Sequence, residues 1–332
     1  MTAMKILIIG PKDRYDAYAP DFLAQMPVEL IFARQYPSSL EAARANPDSE
    51  VILVDAITPV GAELMDCLPR LKMIHSEGVA YNCIDLDAAR ERNVFVCHNK
   101  GFNASSVAEH TVMLMLMVLR HGITGHRAVV EGRQIQMKEA CMAAKGPELG
   151  EQIVGLVGFG DIGQAVAKLL RAFGCKLYYY TAHRRPPEVE EQFGVTYLPL
   201  EELAASCTML SLHCAVNDQT RHMVDAALVG KMRPGSYLIN TARGELIDDL
   251  AVRQALIDGK LAGFAADTLY PEPTPADHPL VALPPEVADK AVYSPHLGGN
   301  TGGSFARGHR NMWNSVRLLL EGQQPNYIVN GL

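Results

Sequence analysis

The seven cysteines are scattered, odd in number and without a Cys-x-x-Cys pair. Neither a disulfide framework nor a zinc-finger site is indicated, and reduced thiols are expected. Long apolar runs are also missing. The longest, Val112 to Leu119, is far too short to span a bilayer. Basic residues are not in excess. A formal net charge of −7 argues against a general binder of nucleic acid or of an anionic membrane. No secretory leader is seen, because Met1 to Gly10 runs straight into a short strand, and a cytoplasmic location is expected. Internal repeats, low-complexity tracts and a His-Glu-x-x-His pattern are absent, and no metal is expected. What is present is an ordinary globular composition, 48% apolar and 20% charged, in 332 residues. That length is enough for two domains with separate cores.

The most informative stretch is Gly158-Phe159-Gly160-Asp161-Ile162-Gly163. The apolar run Ile153–Val157 before it reads as a buried strand. The helical spacing of Ala165, Val166, Leu169, Leu170 and Phe173 predicts a helix over 164–173, and Lys176–Tyr180 reads as a second strand. In such a βαβ unit the first glycine permits a tight turn, the second lets a pyrophosphate approach, and the third lets helix and strand pack closely. The helix N-terminus then faces the phosphates. Glycines also punctuate ordinary turns, but the flanking strand and helix favour dinucleotide binding.

Strands alternate with helices along the chain, which predicts parallel sheets covered on both faces. Before the glycine turn, strands are expected at 4–9, 28–32, 51–55, 71–75 and 94–97. Helices are expected at 15–26, around 60–67 and at 86–92. Ser106-Val107-Ala108-Glu109 has the spacing of a capping box and starts a helix through about His121, closed by Gly122. Because 112–119 is apolar on every side, this helix is expected to be buried all round, either between domains or subunits or in one core. Residues 132–150 read as an irregular linker or arm, and a second domain begins near Glu151. Its later strands are expected at 208–212, 236–240, 264–266 and 291–293, with a helix over 249–257 capped by Asp248.

Ligands of open α/β sheets bind beyond the carboxyl ends of the strands. Three such ends carry Thr241-Ala242-Arg243-Gly244, Asp267 with Pro271-Glu272-Pro273, and Ser294-Pro295-His296-Leu297-Gly298-Gly299. Singly, each polar residue has an ordinary explanation: a surface arginine, a solvated glutamate, a strand-end histidine. Jointly, beside a dinucleotide turn, they suit hydride transfer between a nicotinamide and a 2-hydroxy acid. An arginine fork holds a carboxylate and polarises a 2-oxo group. A histidine exchanges the hydroxyl proton, and a carboxylate orients its ring. The other histidines read as structural, with His278 the nearest decoy. No carboxylate follows β-strand 176–180 before Glu188. The turn Thr181-Ala182-His183-Arg184-Arg185 is basic instead, so NADP(H) is the expected preference, with NAD(H) as the alternative.

These segments together resemble the D-isomer-specific 2-hydroxyacid dehydrogenase family, which includes glyoxylate/hydroxypyruvate reductases and phosphoglycerate dehydrogenases. The resemblance runs from about Leu71 onward. It implies two Rossmann-like doubly wound parallel-sheet α/β domains with a cleft between them. Residues 1–103 plus 297–332 would bind substrate. Residues 104–296, including the interdomain helix 106–121, would bind the dinucleotide. It implies an NAD(P)-dependent dehydrogenase acting on a small 2-oxo or D-2-hydroxy acid, with Arg243, Glu272 and His296 as the catalytic set. Cofactor positions would be Gly158, Gly160, Asp161, Ile162, Gly163, Thr181, His183, Arg184, Arg185, His213, Thr241, Ala242, Asp267 and Gly298. Backbone N–H groups around Val79 and Ala80 would take the substrate carboxylate, and a homodimer is implied.

Departures from the family pattern cluster where substrate and cofactor should sit: Ala80, Asn82, His98-Asn99-Lys100-Gly101, Gln134 and His213-Cys214-Ala215. Lys100, in place of a family proline, could attract a second anionic group of the substrate. The rivals are a formate dehydrogenase-like enzyme, which would pair its histidine with glutamine, and a nucleotide-sensing binding protein of corepressor type. The latter would act mainly through partners, and no regulatory tail is expected here.

Overall fold

The computed structural model describes residues 3–35 and 37–332. The chain divides into two compact units, one formed by the residues up to Asn103 with Asn300–Leu332, the other by Ala104–Gly299. The first unit holds β1 (Met4–Ile9), β2 (Val28–Ala33), β3 (Val51–Val54), β4 (Met73–Ser76) and β5 (Phe95–Cys97). They form one parallel sheet in the order β2-β1-β3-β4-β5. Successive strand residues point to opposite faces. Leu7, Ile9, Ile52 and Val54 therefore enter one core, and Ile6, Ile8, Val51 and Leu53 enter another. The helix Gly302–Leu320 returns to this unit and covers the second core with Met312, Trp313 and Val316.

The second unit holds β6 (Ile153–Val157), β7 (Lys176–Tyr180), β8 (Val195–Tyr197), β9 (Met209–Leu212), β10 (Ser236–Asn240), β11 (Leu261–Ala266) and β12 (Ala291–Tyr293). Its parallel sheet runs β12-β11-β10-β9-β6-β7-β8. The direction of winding reverses between β6 and β9, which is where such sheets bind ligands. Again the strands feed two cores, with Val154, Leu156 and Ile239 on one side and Val157, Leu210 and Leu238 on the other. Both units are thus α/β with all-parallel sheets, the class that the alternating pattern predicted.

Several local expectations are corrected. No single helix covers 15–26. A helix at Lys12–Ala17 and a 3₁₀ turn at Asp21–Gln25 stand there instead, separated by Pro20, which cannot continue a helix. The helix expected from a capping box at Ser106 begins earlier, at Ala104, and ends at Leu119, so Ser106 lies inside it. Gly122 does not close that helix but opens the next, Gly122–Val130, after His121 breaks the path with a φ of 52°. The segment read as an irregular arm contains the helix Gln134–Ala144. None of its residues is buried, so it carried no core periodicity, and only the helix-forming Gln, Met, Lys, Glu and Ala residues could have revealed it. Nor is 112–119 buried on all sides. Met113, Leu116 and Met117 line an open groove with Leu169 and Phe173. Among the described residues no helix is long and apolar enough to cross a membrane.

Candidate active site

The glycine turn sits at the reversal point of the second sheet. Gly158 ends β6 with a φ of +102°, and its N–H donates to Tyr180 O at 2.8 Å. A Cβ there would lie 2.5 Å from the backbone of His213, just past β9. A Cβ on Gly163 would lie 2.4 Å from Gly158 O, whereas one on Gly160 would meet nothing within 4 Å. Two glycines thus allow the backbone to close up, and the third leaves room above the turn. Gly160 is also the N-cap of the helix Asp161–Ala172, without a side-chain cap. Free helix N–H groups, a positive dipole end and open space fit a pyrophosphate. Asp161 is exposed in the first turn, while Ile162 packs against the core.

The turn after β7 is arranged differently from the expectation of two arginines facing a phosphate. Arg184 is bound to Glu190 through Nε–Oε1 and Nη2–Oε2, both 2.8 Å. Tyr179 also donates to Glu190, at 2.7 Å. Arg184 therefore holds the Glu190 carboxyl down to about 2, and its own charge is offset. Arg185 reaches instead to the glycine turn, donating from Nε to Phe159 O at 3.1 Å. Thr181 donates its hydroxyl to His183 O, and His183 is exposed.

At the other side of the sheet, three strand ends are tied into one assembly. After β10, the Asn240 side chain accepts from Ala242 N at 3.0 Å and donates to Arg243 O at 2.8 Å. The Arg243 side chain is exposed and uses one Nη on Ala242 O. Thr241 is buried against Thr111 of the helix Ala104–Leu119, with hydroxyls 2.8 Å apart. A Cβ on Gly244 would lie 2.4 Å from the backbone of Leu269 and Tyr270, so only glycine lets the Arg243 turn seat against the loop that carries Glu272.

Asp267, after β11, is the hub. Its Oδ1 accepts from Ser294 Oγ at 2.6 Å and Leu297 N at 2.9 Å, and Oδ2 accepts from Gly298 N at 2.8 Å. His110 Nε2 lies 3.2 Å from Oδ1 and 2.7 Å from Ser294 Oγ. Burial would raise the Asp267 carboxyl, but His110, Ser294 and the two backbone donors outweigh it and hold it well below the usual range. The backbone carbonyl of Asp267 accepts His296 N at 2.9 Å and steadies His296 at a φ of 55°. The His296 Nδ1 then lies 3.0 and 2.9 Å from the two Glu272 oxygens. Ionised carboxylates only accept, so Nδ1 carries the proton of this bond. His278, the decoy, is buried beneath this loop. Its Nε2 lies 3.0 Å from both Tyr270 O and Asp249 Oδ2, and its Nδ1 accepts from Leu280 N. It anchors the strand-end loop on which Glu272 stands.

Two residues of this assembly escaped sequence reasoning. His110 was grouped with the structural histidines, and Ser294 was read only as part of a motif. The signal for His110 was a polar residue just before the strongly apolar run of its helix.

In the first unit, the loop after β4 has its carbonyls engaged in hydrogen bonds. Glu77 O accepts Asn99 Nδ2 at 2.8 Å, Gly78 O accepts Asn99 N at 2.9 Å, and Ala80 O accepts Ser76 Oγ at 2.7 Å. Val79 O lies 2.8 Å from His98 Nδ1. Among the described residues, the N–H groups of Val79 and Ala80 have no acceptor. Lys100 is exposed in the turn after β5.

Fold and site define a dinucleotide-binding α/β protein with a histidine–carboxylate pair at its strand ends. Residues 112–298 match the model of the D-isomer specific 2-hydroxyacid dehydrogenase NAD-binding domain. A glyoxylate reductase of Thermofilum pendens is 32% identical over 89% of this chain and 85% of its own. A formate dehydrogenase of Chaetomium thermophilum is 34% identical over 76% of this chain and 70% of its own. The apo structure of Rhodotorula graminis D-mandelate dehydrogenase superposes with a TM-score of 0.84 at 25% identity, covering 98% of this chain and 97% of that one. The chain belongs to the D-isomer specific 2-hydroxyacid dehydrogenase family. That family consists of oxidoreductases that use a nicotinamide cofactor on small 2-oxo and 2-hydroxy acids.

His213 yields a pH prediction. Its ring is partly buried, 2.9 Å from Ser211 Oγ, and desolvation lowers it from 6.5 to about 3. As pH falls below 6.5 the unfolded chain takes up a proton that the folded chain refuses, so stability declines until about 3. Asp267 has the same sign at lower pH, since its contribution is complete above 3.8 and is lost as pH falls through the depressed folded value. His75, in the first unit, is lowered to about 4 by burial and acts like His213 there. Urea unfolding between roughly pH 6 and 4 should show stability falling with pH. His213→Gln should flatten that dependence by up to about 1.4 kcal/mol per pH unit. An unchanged slope in the variant would mean that His213 does not stay neutral in the folded protein.

Proposed function

We propose that the protein is an NAD(P)H-dependent reductase of small 2-oxo acids, forming D-2-hydroxy acids. The observation that carries this reading is the His296–Glu272 pair, built on Asp267 in the unit that holds the glycine turn. The turn from Gly158 to Gly163 would hold the cofactor phosphates, and Thr181, His183, Arg185, Ala242 and the backbone about Thr241, His213 and Gly298 would supply its other contacts. Asp267 acts on it indirectly, since both carboxylate oxygens already have protein donors. A bound nicotinamide supplies the hydride to the carbonyl carbon, or accepts it in the reverse reaction. Glu272 holds the Nδ1 proton of His296, so Nε2 is the nitrogen that donates a proton to the 2-oxygen on reduction and removes one on oxidation. Arg243 uses its remaining N–H groups on the carboxylate and the oxo group. The open N–H groups of Val79 and Ala80 receive the substrate carboxylate, and Lys100 attracts a second anionic group where the acid has one.

A formate dehydrogenase-like reading draws on a relative of similar identity. The carboxylate on His296 speaks against it, because that activity would call for glutamine. One assay panel separates the readings. Glyoxylate, hydroxypyruvate and pyruvate with reduced cofactor, and formate with oxidised cofactor, are each incubated with the wild type and variants. Turnover of a 2-oxo acid is expected. His296→Ala should lose roughly a hundredfold or more of kcat, and Arg243→Lys more than about tenfold of kcat/KM. Turnover of formate alone, or cofactor binding with no turnover on any acid, would defeat the proposal.

The cofactor preference proposed is NADPH, with Arg185 rather than Arg184 meeting the 2′-phosphate. The reason is that Glu190 already occupies Arg184. Arg185→Ala should raise KM for NADPH by about tenfold or more, the scale of a charge-assisted bond, with little change for NADH. Arg184→Ala should do less. A wild type that favours NADH, or an Arg185 variant that affects both cofactors equally, would rule this out.

The chain is also proposed to form a homodimer through the helices Ala104–Leu119, Gly122–Val130 and Gln134–Ala144. An apolar groove of about 510 Å³ opens along the first of these. Val130, 72% exposed, and Met142, 69% exposed, stand on the other two. Exposed apolar surface of this kind marks an interface. Sedimentation velocity should give the mass of two chains for the wild type and of one for Met113→Glu. A monomeric wild type would dismiss the interface.

A further inference from the structure

The first unit contains a buried charged cluster that the reaction described above does not use. Glu77 immediately precedes Gly78-Val79-Ala80, and its side chain is only 7% exposed. Two elements far away in sequence converge on it. Arg14, from the helix Lys12–Ala17, pairs with Oε2. His309, from the helix Gly302–Leu320, is fully buried with Nε2 2.8 Å from Oε1. The backbone of Glu77 is held as well, because its N–H donates to Val54 O at 2.7 Å and its carbonyl accepts from Asn99. Aromatic rings enclose the cluster: Tyr15 lies edge-on to His309 with centroids 4.9 Å apart, and Phe305 lies 5.7 Å from the Arg14 guanidinium.

Stability alone is a poor reason for this arrangement. Buried ion pairs are expensive to desolvate, and apolar side chains of similar volume commonly serve as well. What an ion pair provides is direction, since each partner is fixed by geometry and not only by volume. The direction matters here because the next residues leave their N–H groups open while their carbonyls are engaged by His98 and Ser76.

We propose that Glu77 is a positioning residue for substrate binding. Clamped by Arg14 and His309, it sets the orientation of the Val79 and Ala80 N–H groups toward the carboxylate of the 2-oxo acid. This rests on the reading of that loop given under the proposed function. Interactions that only hold the substrate change KM, while the proton and hydride steps belong to groups in the second unit.

The test uses the full chain at saturating cofactor, with glyoxylate as the probe. Glu77→Gln should raise KM by about tenfold or more while kcat changes by less than about threefold, and the dissociation constant of the reduced cofactor should not move. Arg14→Met, at the more exposed edge of the cluster, should act in the same direction, and it is the variant to read if Glu77→Gln does not fold. If the two act as one unit, the double variant should be no worse than the worse single. Calorimetric titration with oxamate, a non-reacting isostere of a 2-oxo acid, should repeat the order without turnover. A KM within about twofold of wild type, equal losses in kcat and KM, or additive effects would overturn the proposal. Ala80→Pro separates the two levels, because it deletes one N–H outright. An unchanged KM in Ala80→Pro would reject the loop itself as the carboxylate site. A raised KM there, with Glu77→Gln unaffected, would reject only the positioning role.

Discussion

The arrangement of the strand ends depends on one buried carboxylate. Asp267 stands just past β11 and gathers donors from Ser294, His110 and the backbone of Leu297 and Gly298. A buried carboxylate without donors would be costly or would take up a proton. With four donors it remains ionised and dictates where the segment after β12 must lie. The segment has little freedom left, and the left-handed backbone at His296 is one result. Strained backbone persists only where its surroundings over-determine it. The hydrogen bond from His296 N to the Asp267 carbonyl and the two bonds to its carboxylate from the next residues supply that determination.

The same logic links the other two loops. Gly244 lets the Arg243 turn rest on Leu269 and Tyr270, and His278 holds Tyr270 from below. The helix Ala104–Leu119 ties two of the strand ends to itself, through Thr111 to Thr241 and through His110 to Ser294. A largely apolar helix with His110 and Thr111 at successive positions in its middle is thus a bracket as well as a core element. Its interior bonds position what the strand ends carry outward.

Most of the fold was legible because strand and helix periods differ and because glycines mark the turns. The continuous apolar run Ile153–Val157, bounded by the glycine turn, was enough to place β6, and the structure divides its side chains between two cores. The His296–Glu272 contact was likewise legible, since both residues follow expected strands. What stayed hidden depends on long-range geometry. Nothing local to Arg184 says that Glu190 will occupy it, or that Tyr179 will join them from β7. Nothing local to His110 points across 184 residues to Ser294. Glu77, Arg14 and His309 come from three separate segments, and their meeting needs the whole sheet order of the first unit. The helix Gln134–Ala144 was missed for the opposite reason, because it buries nothing and leaves no periodic trace.

Burial changes steeply over a short distance at the strand ends. Asp267 is 4% exposed, yet the His296 and Glu272 side chains are 46% and 47% exposed. A proton-exchanging histidine has to satisfy two opposed demands. Its ring must be held in one orientation, which favours burial and fixed partners. It must also recover its proton from water in each cycle, which favours exposure. Placing both demands on one buried group would lower its affinity for the proton, as burial does at His213. On the proposed reading of His296 as that histidine, the demands are separated in space. The buried Asp267 fixes the backbone, and Glu272 fixes the ring from the solvent side. The ring itself remains where a proton can reach it. The backbone position of His296 is therefore set by a carboxylate saturated with donors, and under the proposed role that saturation costs nothing in proton exchange at the ring.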